Sequence, residues 1–129
     1  MDWREALRSR ATGLAGGRVY WGERPQASTM PALLFTSISD DRPQTFKDWD
    51  LAPGRVQIDT FATTAKEAWA LAESAIETLV PGTTTNGHNF SRADVALGPR
   101  DLAERIGNTT IFRVSMDLIF HHAESEEAS

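Results

Sequence analysis

The sequence predicts an α+β fold, a two-layer sandwich in which an antiparallel sheet carries an N-terminal helix and one long helix on one face. Three observations support this. Apolar and polar residues alternate from Ile111 to His121 and from Arg55 to Phe61, the period of half-buried strands. A capped, alanine-rich apolar stripe runs from Thr64 to Val80, the pattern of a helix packed on a sheet. The 129 residues, 40% apolar and 24% charged, fit one globular domain over 1–129 whose last residues, from about 124, form an acidic tail.

Each element follows from local signals. Asp2 to Ala11 reads as a helix: Trp3, Ala6, Leu7, Arg10 and Leu14 follow a helical period, and Asp2 and Glu5 stand in capping-box spacing. Gly13 and Gly16-Gly17 stop it. Arg18 to Trp21 is a short strand, and Gly22 to Pro31 a loop with two prolines. In the strand Ala32 to Ser39, Leu34, Thr36 and Ile38 face one way and Leu33, Phe35 and Ser37 the other; apolar residues on both faces at its start mark an interior strand. Asp40 to Pro53 is a polar loop that nonetheless carries Phe46, Trp49 and Leu51.

Arg55 to Phe61 sets Val56, Ile58 and Thr60 against Arg55, Gln57 and Asp59. The helix from Thr64 to Val80 opens on a Thr64–Glu67 capping box and shows Ala65, Trp69, Ala72, Ile76, Leu79 and Val80 as its stripe; Pro81-Gly82 ends it. Asn86-Gly87 is a hairpin signal or a loop. Phe90 to Leu97 reads as a strand, and Pro99 to Ile106 as a one- or two-turn helix opened by Gly98-Pro99 and closed by Gly107-Asn108. The closing strand, Ile111 to His121, puts Phe112, Val114, Met116, Leu118 and Phe120 on one face and Arg113, Ser115 and Asp117 on the other.

Composition removes several function classes. With no cysteine, disulfides, thiolate metal sites and cysteine nucleophiles are excluded. No apolar stretch approaches the roughly 20 residues of a membrane-spanning helix, and Met1-Asp2-Trp3-Arg4-Glu5 lacks the head and apolar block of a secretory signal. The net charge is −5, and Glu124, Glu126 and Glu127 concentrate negative charge at the C-terminus. Eleven arginines stand against two lysines, but no basic run marks a duplex-gripping face.

A search for reactive constellations returns nothing catalytic. The glycines of residues 13–17 follow a helix, not a strand, so they form no phosphate loop. His121 and His122 are adjacent on a strand and point to opposite faces, a solvated strand end and not a metal site. Asp59 and Asp117 lie on polar strand faces with Arg55 and Arg113 in reach, which reads as cross-strand charge pairing and not as an acid–base dyad. No serine has a histidine and acid to activate it. The expectation is an unmetallated, cofactor-free protein that is not an enzyme.

The tryptophans say more. Trp69 and Trp3 read as core, and Trp21, beside Tyr20, as cover for a sheet edge. Trp49 stands between Asp48 and Asp50 in a polar loop with Phe46 nearby. Such a residue either folds back as a lid or anchors a partner. The interface expected here comprises Phe46, Asp48, Trp49 and Asp50 together with Asn86, Gly87 and His88 from the connection after the long helix.

Three blocks in order resemble the tail completion, or tail terminator, proteins of long non-contractile phage tails and phage-like gene transfer agents. They are Gly17-Arg18-Val19-Tyr20-Trp21-Gly22-Glu23-Arg24-Pro25-Gln26 with Met30-Pro31 before the apolar strand; Val56-Gln57-Ile58-Asp59-Thr60-Phe61 running into the alanine-rich helix with Glu67 and Ala68; and Phe112-Arg113-Val114-Ser115-Met116-Asp117-Leu118 as closing strand. Each is a pattern of fold, and their order and spacing carry the likeness. The resemblance implies a homo-hexameric ring at the head-proximal end of the virion tail, made in the bacterial cytoplasm. That ring stops tail-tube polymerisation and docks to the head connector or stopper protein. DNA passes through it without specific binding, no membrane is involved, and it carries no catalytic residues. The long acidic-aromatic loop Asp40 to Pro53 departs from the family pattern. The competing class is a small α+β ligand-binding or enzymatic dimer, which a mass measurement in solution separates from a ring.

Overall fold

The most regular alternation in the chain becomes its central strand. In a computed structural model, residues 3–23, 29–40, 52–85, 87–106 and 109–124 are described. The elements are α1 (Trp3–Arg10), a 3-10 turn (Ala15–Gly17), β1 (Val19–Trp21), β2 (Ala32–Asp40), β3 (Ala52–Ala62), α2 (Ala65–Leu79), β4 (Thr83–Thr85), β5 (His88–Phe90), β6 (Asp94–Ile106) and β7 (Thr109–Glu124). The sheet runs β1-β2-β3-β7-β5-β4, with β6 also paired to β7. β7 thus pairs with β3 along one side and divides its other side between β6 and β5.

The α+β class holds, with both helices on one face of the sheet. All strand pairs are antiparallel except β1 with β2, which is parallel with Val19 opposite Leu33. The connection of residues 22–31 is long enough to carry the chain back for a parallel partner, which a tight hairpin cannot do. Arg18 fixes that connection by donating from Nε to the Pro31 carbonyl at 2.7 Å.

β3 and β7 alternate as their sequences predict. Val56, Ile58, Val114, Met116, Leu118 and Phe120 are buried on the helix side. On the same side, Thr60 donates from Oγ1 to the Ala68 carbonyl at 2.9 Å, tying β3 to α2. Burial of each large apolar side chain here is worth roughly 1.5–3 kcal/mol. β2 follows its pattern to Ser37, where the register slips between Ser37 and Ser39 and leaves Ile38 as the extra residue of a bulge.

Trp3 is the anchor of α1. It is 1% exposed, stacks on His122 with ring centroids 4.1 Å apart, and meets Trp21 edge-on at 6.4 Å. Gly54 makes the fit possible, because a Cβ there would come within 2.8 Å of the Trp3 ring. His122 is therefore a core residue and not part of a solvated strand end; His121, on the opposite face, bonds Asp94 at 3.0 Å.

α2 begins as predicted, with the Thr64 hydroxyl accepting from the Glu67 amide. Its buried stripe is Ala68, Leu71, Ala72, Ala75 and Leu79. Trp69 and Ile76 flank it, half-buried, so the helix is rolled relative to the predicted stripe. Small alanines let α2 approach the sheet closely, and the bulkier Trp69 stays at the side, where its indole N–H donates to Asp101. At the other end, Arg10 Nη2 donates to the Thr78, Leu79 and Pro81 carbonyls at 3.0, 3.3 and 2.7 Å. A cation on the last carbonyls complements the helix dipole, and burial lowers the Arg10 pKa from its ordinary value.

Residues 99–106 form no helix. They belong to β6, which pairs with β7 from Asp94 opposite Ile119 to Ile106 opposite Thr109. The Gly98-Pro99 signal marks an irregularity between Leu97 and Arg100 and not a helix start; a proline without an N–H is tolerated at a bulge on a marginal strand. The predicted strand Phe90–Leu97 is likewise split, β5 ending at Phe90 and β6 starting at Asp94.

These contacts set an order of costs. Trp3→Ala is expected to lose about 3–5 kcal/mol, Gly54→Ala about 1–3 kcal/mol by overpacking, and Trp69→Ala about 1–2 kcal/mol. Urea unfolding at unchanged slope reads all three. A Trp69 loss equal to that of Trp3 would put the α2 stripe where the sequence alone suggests.

Candidate assembly surface

The topology brings the described flanks of the predicted interface segments to one end of the sheet. Asp40 pairs with Gly54 and Ala52 with His122, so β2 stops and β3 starts where β7 nears its end. The β4–β5 hairpin closes at the same end, with Thr85 opposite His88 and His88 opposite Glu124. Phe46, Asp48, Trp49, Asp50 and Asn86 lie outside the described residues. Gly87 has φ +80°, the left-handed conformation that a two-residue hairpin turn asks of glycine. His88 is buried.

The helix-free face of the sheet carries the charge pairs. Arg55 donates to Asp117 Oδ2 from Nε at 3.1 Å and from Nη2 at 2.9 Å. Arg113 Nε donates to Asp59 Oδ1 at 3.1 Å, and Gln57 Nε2 donates to its Oδ2 at 2.9 Å. The register places Asp59 opposite Ser115 and Gln57 opposite Asp117, so both ion pairs run diagonally across β3 and β7. The two carboxylates are almost wholly buried, Asp59 to 1% exposure. Each is committed to its own arginine, an arrangement that ties β3 to β7 in one register. Arg113 also lies 5.8 Å from the Phe61 ring centre, beside a small apolar cluster of Ala32, Phe61 and Ile111 with Tyr20, Met30 and Leu34.

Among the described residues no group of three or more histidines and acids is placed to hold a metal. Among the same residues no helix is long and apolar enough to cross a membrane. What the sequence reading missed is on β6: Val95, Leu97 and Leu102 are large, apolar and exposed. Val95 and Leu97 fall in the segment read as a strand and Leu102 in the segment read as a helix, and register shifts between Val95 and Leu97 and between Leu97 and Arg100 break the alternation that would have set them apart.

The buried ion pairs make a direct prediction. Arg113→Ala strands the Asp59 carboxylate and is expected to cost about 3 kcal/mol. Adding Asp59→Ala recovers part of that loss, and a double-mutant cycle by denaturant unfolding measures the coupling. Zero coupling energy would show that the pair does not hold β3 to β7.

The profile of a protein family described as tail completion protein gp17 matches residues 4–119. Among solved structures, a chain from the virion of a native gene transfer agent particle aligns with a TM-score of 0.59 at 15% identity, covering 92% of each chain. Another solved chain aligns with a TM-score of 0.55 at 12% identity, over 93% of this chain and 89% of that one. At such identities the likeness is one of fold. No curated protein sequence matches. The family match spans most of the chain: the protein belongs to the tail completion protein gp17 family, and is accordingly a structural protein of phage-type tails.

Proposed function

We propose that this protein forms a homo-hexameric ring at the head-proximal end of the tail, ends polymerisation of the tail tube there, and joins the tube to the head connector or stopper protein. The observation that carries the reading is the family match over residues 4–119. The fold shared with a gene transfer agent virion chain is consistent with it. The connection between β2 and β3 is the arm that reaches a neighbour, with Phe46 and Trp49 as anchors and Asp48 and Asp50 beside them. Gly87 and the backbone at His88, at the end of the sheet where β2 stops and β3 starts, extend the same docking surface.

In cells that produce the particle, removing the gene is expected to leave overlong tail tubes and unjoined heads in electron micrographs. A version with residues 41–50 replaced by Gly-Ser folds but fails to restore joining. Normal tails in the null strain would overturn the reading. An unfolded loop variant would show that Phe46 and Trp49 are an internal lid.

The ring's pore has to let DNA slide. Each phosphate gripped by lysine or arginine adds affinity through counterion release, so a non-basic lumen serves passage better. Six chains of charge −5 bring about −30 in formal charge to the ring, repelling a polyanion. Several arginines are already engaged: Arg55 and Arg113 in ion pairs, and Arg8, Arg10 and Arg18 on backbone carbonyls. Titration of the assembled ring with duplex DNA near 0.15 M salt is expected to show binding no tighter than about 10⁻⁶ M, the non-specific range. Submicromolar binding with a steep salt slope would refute the non-basic pore.

A further inference from the structure

The described side chains of β6 give nothing to the core. Over residues 94–102 none is buried: Ala96 and Pro99 are half-buried and the rest are exposed, Val95, Leu97 and Leu102 among them. β7 beside it is the opposite case. It is buried without a break from Val114 to Leu118 and is held to β3 by both ion pairs. The central strand therefore keeps its seat without help from β6.

The attachment of β6 is almost all backbone. Among the described residues it pairs with β7 alone, and the register breaks twice between Val95 and Arg100, where Pro99 has no N–H to offer. Its side-chain bonds among those residues are Asp94 with His121 at 3.0 Å and Asp101 with the Trp69 indole, both exposed. A strand that lifts away regains its hydrogen bonds from water, so a ladder without buried side chains resists opening weakly. The root of the strand is firm by comparison. Ala93 is buried and its amide donates to the Val80 carbonyl at 2.8 Å, and the Ser91 amide donates to the His121 carbonyl at 3.1 Å.

The edge of β7 that faces β6 also carries unmet polar atoms. Ser115 stands opposite Arg100, and Asp117 opposite Leu97. Ser115 Oγ and Asp117 Oδ1 are both buried, and neither meets a hydrogen-bond partner in the protein. Keeping such atoms from water costs free energy that opening of the sheet returns.

We infer that β6 is a strap, which lifts from β7 as a unit while the rest of the fold stays intact. It swings on the fixed root at Ala93 and remains joined to β7 by the chain after Ile106. Closed, it caps one edge of the central strand. Open, it bares that edge from Thr109 to Ile119 and admits water beside Ser115 and Asp117. A bare strand edge pairs readily with another extended chain, so the strap governs access to β7. The inference rests on packing within one chain and not on the ring reading above.

Amide hydrogen exchange by NMR on the purified full chain, in urea below the unfolding midpoint, tests it. The β6 amides bonded to β7 are expected to exchange at least about 100-fold faster than those of Val56 and Ile58 on β3, at rates that urea barely changes, because a strand with exposed side chains adds little surface when it opens. Along β7, amides bonded to β6 exchange with the strap and amides bonded to β3 exchange with the core, an alternation that fraying of one end does not give. Asp101→Ala removes the Trp69 bond from an exposed position. It is expected to speed strap exchange about threefold to tenfold, the worth of one net hydrogen bond, and to leave β3 unchanged. If β6 and β3 amides exchange together with one urea dependence, β6 opens only with the whole molecule and the proposal fails. It fails equally if Asp101→Ala speeds β3 as much as β6.

Discussion

How closely the helical layer can lie on the sheet depends on one contact, Trp3 flat over Gly54. Any side chain at 54 would push the indole away, since even a Cβ would sit 2.8 Å from the ring. With the glycine in place, Trp3 stacks on His122 and meets Trp21. The Trp21 indole then donates to the Arg4 carbonyl at 3.1 Å, which locks β1 to α1. From the end of α1, Arg10 reaches the last carbonyls of α2 and lies 5.2 Å from the Phe90 ring centre. The seating of one indole thus positions the edge strand β1 directly, and α2 and the β4–β5 hairpin through Arg10.

The parts of the fold legible in the sequence are those whose signal is local or strictly periodic. β3 and β7 alternate residue by residue, and α2 has its cap, so their existence and facing follow from spacing alone. The ion pairs Arg55–Asp117 and Arg113–Asp59 were readable as residue types on polar faces; their diagonal register was not, because register depends on two strands distant in sequence. The segment 99–106 was misread for the same reason. Proline after glycine and a following Gly-Asn are strong local punctuation, but pairing with β7 along a thirteen-residue strand outweighs them. Trp69 was misplaced because alanine contributes little to an apolar pattern, whereas in the structure small size is what lets α2 sit close.

The candidate site was legible only by composition. Two aromatics among acids between β2 and β3 stand out in any reading, yet nothing in their spacing says what covers them. The exposed apolar residues of β6 left no signature, because two register shifts interrupt the alternation that would have announced them.

The stacking of Trp3 on His122 also has a consequence in time. Residue 3 is made long before residue 122, so the partners of the central packing are far apart along the chain. Contacts between such distant residues slow folding, since the long loop must close before it is rewarded. A nascent chain exposes α1's apolar face until β7 emerges, and a prematurely terminated one never finds its seat. Only a chain extended through His122 can bury Trp3, which makes synthesis of β7 a condition for presenting the surfaces on which assembly depends.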